Sequence, residues 1–524
     1  MNRAYKKLAL TALAVICAAP WMRAQGSGSG ACADLAKLQL PMVSIARAER
    51  VPASAPGMLH FTPTQTVAVA VPAFCRVDGV IEPRTGADGK AYGIGFALAL
   101  PETWNGDFEF QGGGGLNGTV QLPLGERASG GNPGLARGYA VVSTDSGHKG
   151  AGFDGSFFAD QQATIDFYYA AIGRVALTAK DLIARFYGRP AGHSYYVGCS
   201  TGGREAMIMS QRYPGYFDGI VSGDPAIRTG HSNLGLAFIE ATFNAAAPKD
   251  DGGKPQPKLL FSDGDRKLIT GALLKACDAK DGIEDGLIFN PKACDFDPAK
   301  LVCAGAKGDD CLTAQQAAAL KKAFAGPKDL RGSQIYPGFP WDAGMADKGA
   351  GIPGLLHGPV IPVAPPSLAT EFDADAAEAN VLANATALLG DSTWTNLSSF
   401  SGHGGKLIFY HGLSDPWFSP LDTINYYEKM SRENGGMNKV ASWSRLYLVP
   451  GMGHCGGGSA TLDNFDMLSA ITNWVEKGTA PESVVATGKA FPGRSRPLCV
   501  YPSHAQYSGQ GDPNDAKNFV CRAD

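Results

Sequence analysis

YYVGCSTGGREAM, residues 195–207, decides how the rest of the chain is read. SYYVG (194–198) has the composition of a short buried strand, and GREAMIMSQRYP (203–214) reads as a helix stopped by Pro214. Between them Gly198-Cys199-Ser200-Thr201-Gly202 fits G-x-S-x-G. In that pattern the glycines permit a sharp strand-to-helix turn that pushes the serine hydroxyl out at the sheet edge. Five such residues in a glycine-rich chain are often only a turn. The strand before and the helix after give this match its weight. A cysteine directly before a candidate nucleophile is the second question the stretch raises.

Working outward, YGIGFALALP (92–101), DFEFQGG (107–113) and YAVVSTDSG (139–147) are short apolar runs bounded by Gly or Pro. QQATIDFYYAAIGRVALTAKDLIARFYG (161–188) carries apolar residues at helical spacing and ends at Gly188, and FDGIVSGDPA (217–226) reads as the next strand. This β-α-β-α order predicts an α/β fold with a parallel sheet covered by helices. The rhythm stops over 226–400, where cysteines, acidic turns and Pro-rich stretches dominate, and resumes with GGKLIFYHGLSD (404–415) and SRLYLVPGMGH (444–454). The expected division is therefore a core of 26–225 and 401–524 with a large inserted lid, 226–400. In an open parallel sheet the site lies at the carboxyl ends of the strands.

With 524 residues, 44% hydrophobic and a formal net charge of −3, the chain has neither the basic footprint of a nucleic-acid binder nor a basic patch for an anionic membrane surface. Residues 1–25 have a positive start (Arg3, Lys6, Lys7) and a short apolar run, the pattern of a cleavable signal peptide, and no later segment is apolar enough to span a membrane. Export gives the eleven cysteines a reading. With Cys17 removed by cleavage ten remain, an even number, and no CxxC or interleaved His has zinc-ligand spacing. Five disulfides are expected; counting alone does not pair them.

Serine is a poor nucleophile unless a base takes its proton and an acid orients that base. Asp415 follows KLIFYHGLS and His454 follows LYLVPGMG, each just past the carboxyl end of a strand. Ser200, Asp415 and His454 thus stand in the order Ser, acid, His at one sheet edge. His148 and His193 read as structural; His411, four residues before Asp415, reads equally as pocket lining or core. Donors for a developing oxyanion would be the N–H of Thr201 and one from QGGGGLNG (111–118). That glycine run is not followed by the Lys-Ser/Thr of a phosphate cradle.

A second chemical feature is CDAKDGIEDGLIF (277–289). Asp278, Asp281 and Asp285 crowd together around Gly282 and Gly286, and carboxylates so placed repel unless solvated or neutralised by a cation. Hard oxygen donors suit Ca²⁺ over zinc, although the spacing is not that of an EF-hand.

Through YVGCSTGGREAM, YHGLSDPWFSPLDT, LVPGMGHC and CDAKDGIEDG the chain resembles the tannase and feruloyl esterase family of α/β-hydrolases over nearly its whole mature length. The family's mark is a cysteine before the catalytic serine and another after the catalytic histidine, here Cys199 and Cys455. The resemblance implies an α/β-hydrolase fold with Ser200 as nucleophile, His454 as base, Asp415 as its orienter, and Thr201 and Gly115 as oxyanion donors. It implies a Cys199–Cys455 disulfide, with Cys32–Cys75, Cys277–Cys294, Cys303–Cys311 and Cys499–Cys521. It further implies a structural Ca²⁺ in the lid, held by Asp278, Asp281 and Asp285 and the carbonyls of Ile283 and Leu287. The activity implied is hydrolysis of small esters of aromatic carboxylic acids, of the feruloyl or galloyl type, through an acyl-enzyme on Ser200; terephthalate monoesters are the alternative substrate, and a non-catalytic Ca²⁺-stabilised binding protein is the reading from another class. Members that act on terephthalate monoesters place pocket residues at positions matching His411 and Phe418. They also hold the substrate's free carboxylate with a lid arginine, whereas between Arg331 and Lys406 this chain has only Lys348.

Overall fold

The computed structural model describes residues 29–62, 65–349 and 351–523; the expected signal peptide, 1–25, lies outside the described residues. Among the described residues, nine strands form the main sheet. In chain order they are β1 (Val43–Val51), β2 (Phe74–Thr85), β3 (Ala91–Pro101), β4 (Phe108–Gln111), β5 (Ala140–Thr144), β6 (Ser194–Cys199), β7 (Gly219–Gly223), β8 (Lys406–Gly412) and β9 (Ser444–Val449). In space they run β1-β2-β3-β5-β4-β6-β7-β8-β9. From β5 across to β9 every pair is parallel, as the alternating pattern predicts. The first three strands correct that expectation, since β1, β2, β3 and the β3–β5 pair are antiparallel. Strand β1 is an edge strand carrying Arg47, Glu49 and Arg50 with no fully buried residue, so its apolar signal is weak.

Both faces of the sheet are covered. Helix α1 (Ala171–Tyr187) lays Ile172, Val175, Leu182 and Ile183 onto one face and stops at Gly188, whose φ of 70° supplies the left-handed cap. Each such aliphatic side chain, fully buried, contributes about 1.5–3 kcal/mol. The helical pattern from Gln161 is continuous in sequence but is broken in the fold by a wide π turn over Asp166–Ala170. Helix α2 (Thr201–Arg212) leaves the serine turn and buries Ala206, Met207, Ile208 and Met209 on the same side. Side chains alternate as strand geometry requires: Tyr196, Leu407 and Phe409 face this layer, while Tyr195, Val197, Ile408 and Tyr410 face the opposite core.

Between β7 and β8 the chain leaves the sheet and builds its own apolar cluster. Helices α3 (Thr229–Ala246), α4 (Asp263–Cys277) and α5 (Ala314–Ala325) contribute Leu236, Phe243, Leu273, Leu320 and Phe324. Trp417, from the loop after β8, packs against that cluster, so the insertion caps the carboxyl edge of the sheet. The chain then returns through α6 (Pro420–Glu433) and α7 (Met467–Lys477), the latter placing Leu468, Ile471 and Trp474 in the second core.

All ten described cysteines are paired, as Cys32–Cys75, Cys199–Cys455, Cys277–Cys294, Cys303–Cys311 and Cys499–Cys521. Among the described residues no helix is long and apolar enough to cross a membrane.

Candidate active site

Ser200 sits between β6 and α2 with φ 66° and ψ −124°. That backbone is strained for a non-glycine residue and is the conformation a nucleophile elbow demands. Two glycines make it possible. A Cβ on Gly198 would run into the Gly202 backbone, and one on Gly202 would lie 2.7 Å from the Gly113 carbonyl. The turn is fixed by its own bonds: Ser200 donates its N–H to Gly223 at 3.0 Å, and its carbonyl accepts the Arg204 N–H at 3.0 Å.

Asp415 and His454 meet as their strand-end positions predict. His454 Nδ1 lies 2.7 Å from Asp415 Oδ2, and both side chains are buried. Asp415 Oδ1 accepts the N–H groups of Trp417 (2.8 Å) and Phe418 (3.1 Å), so the loop folds around the carboxylate. Burial alone would raise this acid. The charge of His454 and the hydrogen bonds from His411 and His454 outweigh burial and hold the carboxyl well below the usual carboxylate range. With Nδ1 engaged, Nε2 is the nitrogen left for a serine hydroxyl. The Cys199–Cys455 disulfide, with Cα atoms 5.9 Å apart, joins the residue before Ser200 to the residue after His454 across 256 positions of sequence. The cysteine in the opening stretch is thus a strap between the serine and histidine loops.

The glycine run packs directly on the elbow. Gly202 donates its N–H to the Gly113 carbonyl at 3.1 Å, and the Thr201 hydroxyl donates to the Gly115 carbonyl. Thr201 opens α2, so its N–H has no helical carbonyl to bond. Glu205, one turn further and fully buried, was not singled out from sequence. Its carboxylate accepts from Gly113 N–H (2.9 Å), Asn117 Nδ2 (2.9 Å), Ser146 Oγ (3.0 Å) and Tyr196 OH (2.7 Å). Asn117 and Ser146 both have positive φ, so two strained loop residues end on this one acid.

Ser200, Thr201, Gly115 and Phe418 line one cleft of about 430 Å³, walled by Phe153, Phe158, Tyr168 and Trp417 and closed by Pro362 and Val363 of the insertion. A larger cleft of about 530 Å³ lies along Gly112–Gly114 and does not reach Ser200. His411 departs from the pocket assignment. It has no solvent exposure and shares the face of Leu407 and Phe409 on β8. Its Nδ1 lies 2.8 Å from Thr423 Oγ1 and its Nε2 3.0 Å from the Phe418 carbonyl, which places it behind Asp415. His148 is buried and stacks on Phe157 at 3.6 Å, a structural role. His193 sits at the opposite end of β6, 3.4 Å from Asp107.

The acidic turn follows α4 and is closed by Cys277–Cys294. Asp278 accepts the N–H groups of Asp285 (3.2 Å) and Gly286 (2.8 Å), and Asp281 that of Phe289 (3.0 Å). Arg496, 211 positions away, pairs with Asp285. The three carboxylates are not drawn to one point; the three-ligand clusters within 4.8 Å among the described residues lie elsewhere. Burial first, then the charges of Asp285 and Asp278, push Asp281 up to about 7; burial, with Asp285 and Glu284, also raises Asp278. Among the described residues neither of these two has an ion-pair partner. Oxygen donors left repelling one another in this way match a hard divalent cation.

The family model described as tannase and feruloyl esterase matches residues 75–358 and 363–522. A mono(2-hydroxyethyl) terephthalate hydrolase of Piscinibacter sakaiensis is 37% identical over 531 residues, covering 88% of this chain and 87% of that protein. A probable feruloyl esterase B of Emericella nidulans is 29% identical, with 93% of each chain covered. The crystal structure of feruloyl esterase B from Aspergillus oryzae superposes with a TM-score of 0.77 at 25% identity, over 94% of this chain and 100% of that one. The chain belongs to the tannase and feruloyl esterase family, has its α/β-hydrolase fold, and is a carboxylic ester hydrolase.

Proposed function

We propose that this chain hydrolyses esters of aromatic carboxylic acids of the hydroxycinnamate or gallate type through an acyl-enzyme on Ser200. The observation that carries the reading is the aromatic-walled cleft with Ser200 in its lining. Phe153 and Trp417 meet edge to face at 5.8 Å, leaving ring faces and edges for a flat acyl group. In the reaction Ser200 Oγ bonds to the ester carbonyl carbon as its proton passes to His454 Nε2. Asp415 stabilises the resulting imidazolium, and the Thr201 and Gly115 N–H groups receive the oxyanion. His454 then gives that proton to the departing alkoxide, and water repeats the sequence on the acyl-enzyme. The cysteine pairing and the signal-like N-terminus support an exported protein.

Terephthalate monoesters are the second reading, favoured by the 37% identical relative. Against it stands the cation inventory of the cleft. Among the described residues lining it, the one Lys or Arg is Arg204, which is 2% exposed and donates to the carbonyls of Tyr168 (2.7 Å) and Phe167 (3.2 Å). A guanidinium so engaged does not clamp a substrate carboxylate. The expected order of kcat/KM is therefore methyl ferulate or methyl gallate above mono(2-hydroxyethyl) terephthalate by tenfold or more, on the order of 1.4 kcal/mol. A rate on the terephthalate monoester equal to or above the others would reverse the assignment.

A structural Ca²⁺ belongs to the same proposal, held by Asp278, Asp281 and Asp285 with the carbonyls of Ile283 and Leu287. Asp285 would then share its charge between the ion and Arg496. Adding EGTA should lower Tm by several degrees, since a ligand bound only to the native state at 100 times its Kd contributes about 2.7 kcal/mol. Restored Ca²⁺ should reverse the shift. An unchanged Tm would leave Arg496 and Arg494, the latter 3.7 Å from Asp285 Oδ2, as the cations that neutralise Asp285.

A further inference from the structure

Behind the proposed triad lies a second buried acid that none of the steps above uses. Asp224 follows β7 with φ 35°, a left-handed backbone for a non-glycine residue, and its side chain has no solvent exposure. Its carboxylate reaches the neighbourhood of each reacting residue. Oδ1 accepts the Gly412 N–H at 2.7 Å, three positions before Asp415. Oδ2 accepts the Cys455 N–H at 3.1 Å, beside His454, and lies 3.3 Å from the Cys199 sulfur, beside Ser200. The Asp224 N–H in turn donates to the Tyr410 carbonyl at 2.9 Å. His411 stands between the two acids, with Nε2 3.5 Å from Asp224 Oδ1 and 3.3 Å from Asp415 Oδ2.

We infer that Asp224 is a positioning residue of the esterase site and that, with His411, it forms a second acid–base pair behind Asp415; this rests on the serine-esterase reading above. Two carboxylates without solvent exposure, 3.5 and 3.3 Å from one imidazole, call for a positive charge between them. His411 supplies it. Burial alone would lower its pKa, but the charge of Asp224, the contact with Asp415 and the Phe418 carbonyl outweigh burial and raise it. Asp224 then balances the His411 cation, which leaves the charge of Asp415 for the imidazolium that forms on His454. Without Asp224, His411 draws on Asp415 and the loop holding Cys455 loses its acceptor.

The titratable groups facing the pair are Asp415 and Tyr410 from β8 and its loop, and His454 from the loop after β9. Cys199 and Cys455 are locked in their disulfide and do not titrate. Burial first, then the charge of Asp415, push Asp224 up against the lowering effect of His411 and His454, to about 6. Acidification through about pH 6 should therefore weaken the site by putting a proton on Asp224.

The test is the pH profile of kcat and KM on methyl ferulate for the full chain and for Asp224→Asn. The carboxamide keeps one acceptor and turns an NH₂ towards the other N–H, so kcat should fall about 100-fold, the cost of misplacing catalytic groups by about 1 Å, with KM within about twofold. Below pH 6 log kcat/KM should fall more steeply in the natural chain than in the variant, by about one in slope, because the variant lacks the Asp224 proton. A variant with kcat within threefold of the natural chain, or one whose acid slope equals that of the natural chain, overturns the inference. Should Asp224→Asn fail to fold, His411→Gln, which removes the charge that holds Asp224 down, should move the acid limb to higher pH, and an unmoved limb in that variant likewise overturns the inference. Natural-chain turnover with an unchanged variant profile sinks this inference alone, whereas no natural-chain turnover on any aromatic ester sinks the reading beneath it.

Discussion

Ser200→Ala should lower kcat on methyl ferulate by on the order of 10⁶-fold while leaving Tm within about 2 °C. The size follows from the role: a nucleophile removed from a triad leaves only binding and oxyanion stabilisation, and such losses reach about 2 × 10⁶ in other serine hydrolases. The small change in Tm follows from the position. Ser200 is partly exposed in the cleft, and the bonds that fix its turn are made by its backbone, which alanine keeps. The expected KM is unchanged within a few fold, because the aromatic walls are untouched. A variant retaining more than about one part in a thousand of the activity would move the nucleophile elsewhere.

Asp415→Asn carries the second largest expected effect, about 10⁴-fold in kcat. Asparagine keeps an oxygen for the Trp417 and Phe418 N–H groups, so the loop should hold its shape. Its NH₂ would then face His454 Nδ1, where Asp415 now offers Oδ2 at 2.7 Å. Two donors cannot share that contact, so His454 would expose its protonated nitrogen to Ser200 and could not take the hydroxyl proton. Measured kcat and KM give the check. A loss smaller than about tenfold would mean that Asp224, through His411, substitutes for Asp415.

What was legible in the sequence shares one physical property. Ser200, Asp415 and His454 each follow an apolar strand and sit in a short glycine-bearing loop, so local pattern alone places them at one sheet edge. The inserted cap was legible as a loss of rhythm. Strand β1 gives little sign of itself in the sequence, because a half-wet edge strand with three charged residues carries little apolar signal. Buried acids were the larger omission. Glu205 and Asp224 look in sequence like a helix surface and a turn; only the fold brings their partners, Asn117 and Ser146 or Gly412 and Cys455, within reach. Arg496 reaches Asp285 across 211 positions, a contact no local spacing announces. His411 could have been placed by parity. It alternates with Leu407 and Phe409 on β8, and that face is covered by helices.

The most direct test of Ser200 as the nucleophile is covalent. A fluorophosphonate probe reacts at an activated serine, and peptide mass spectrometry locates the adduct. One stoichiometric label on Ser200 is expected, with complete loss of methyl ferulate hydrolysis and no label in Ser200→Ala. Ester hydrolysis that survives in the fully labelled protein, or an adduct on another residue with Ser200 free, would contradict that role.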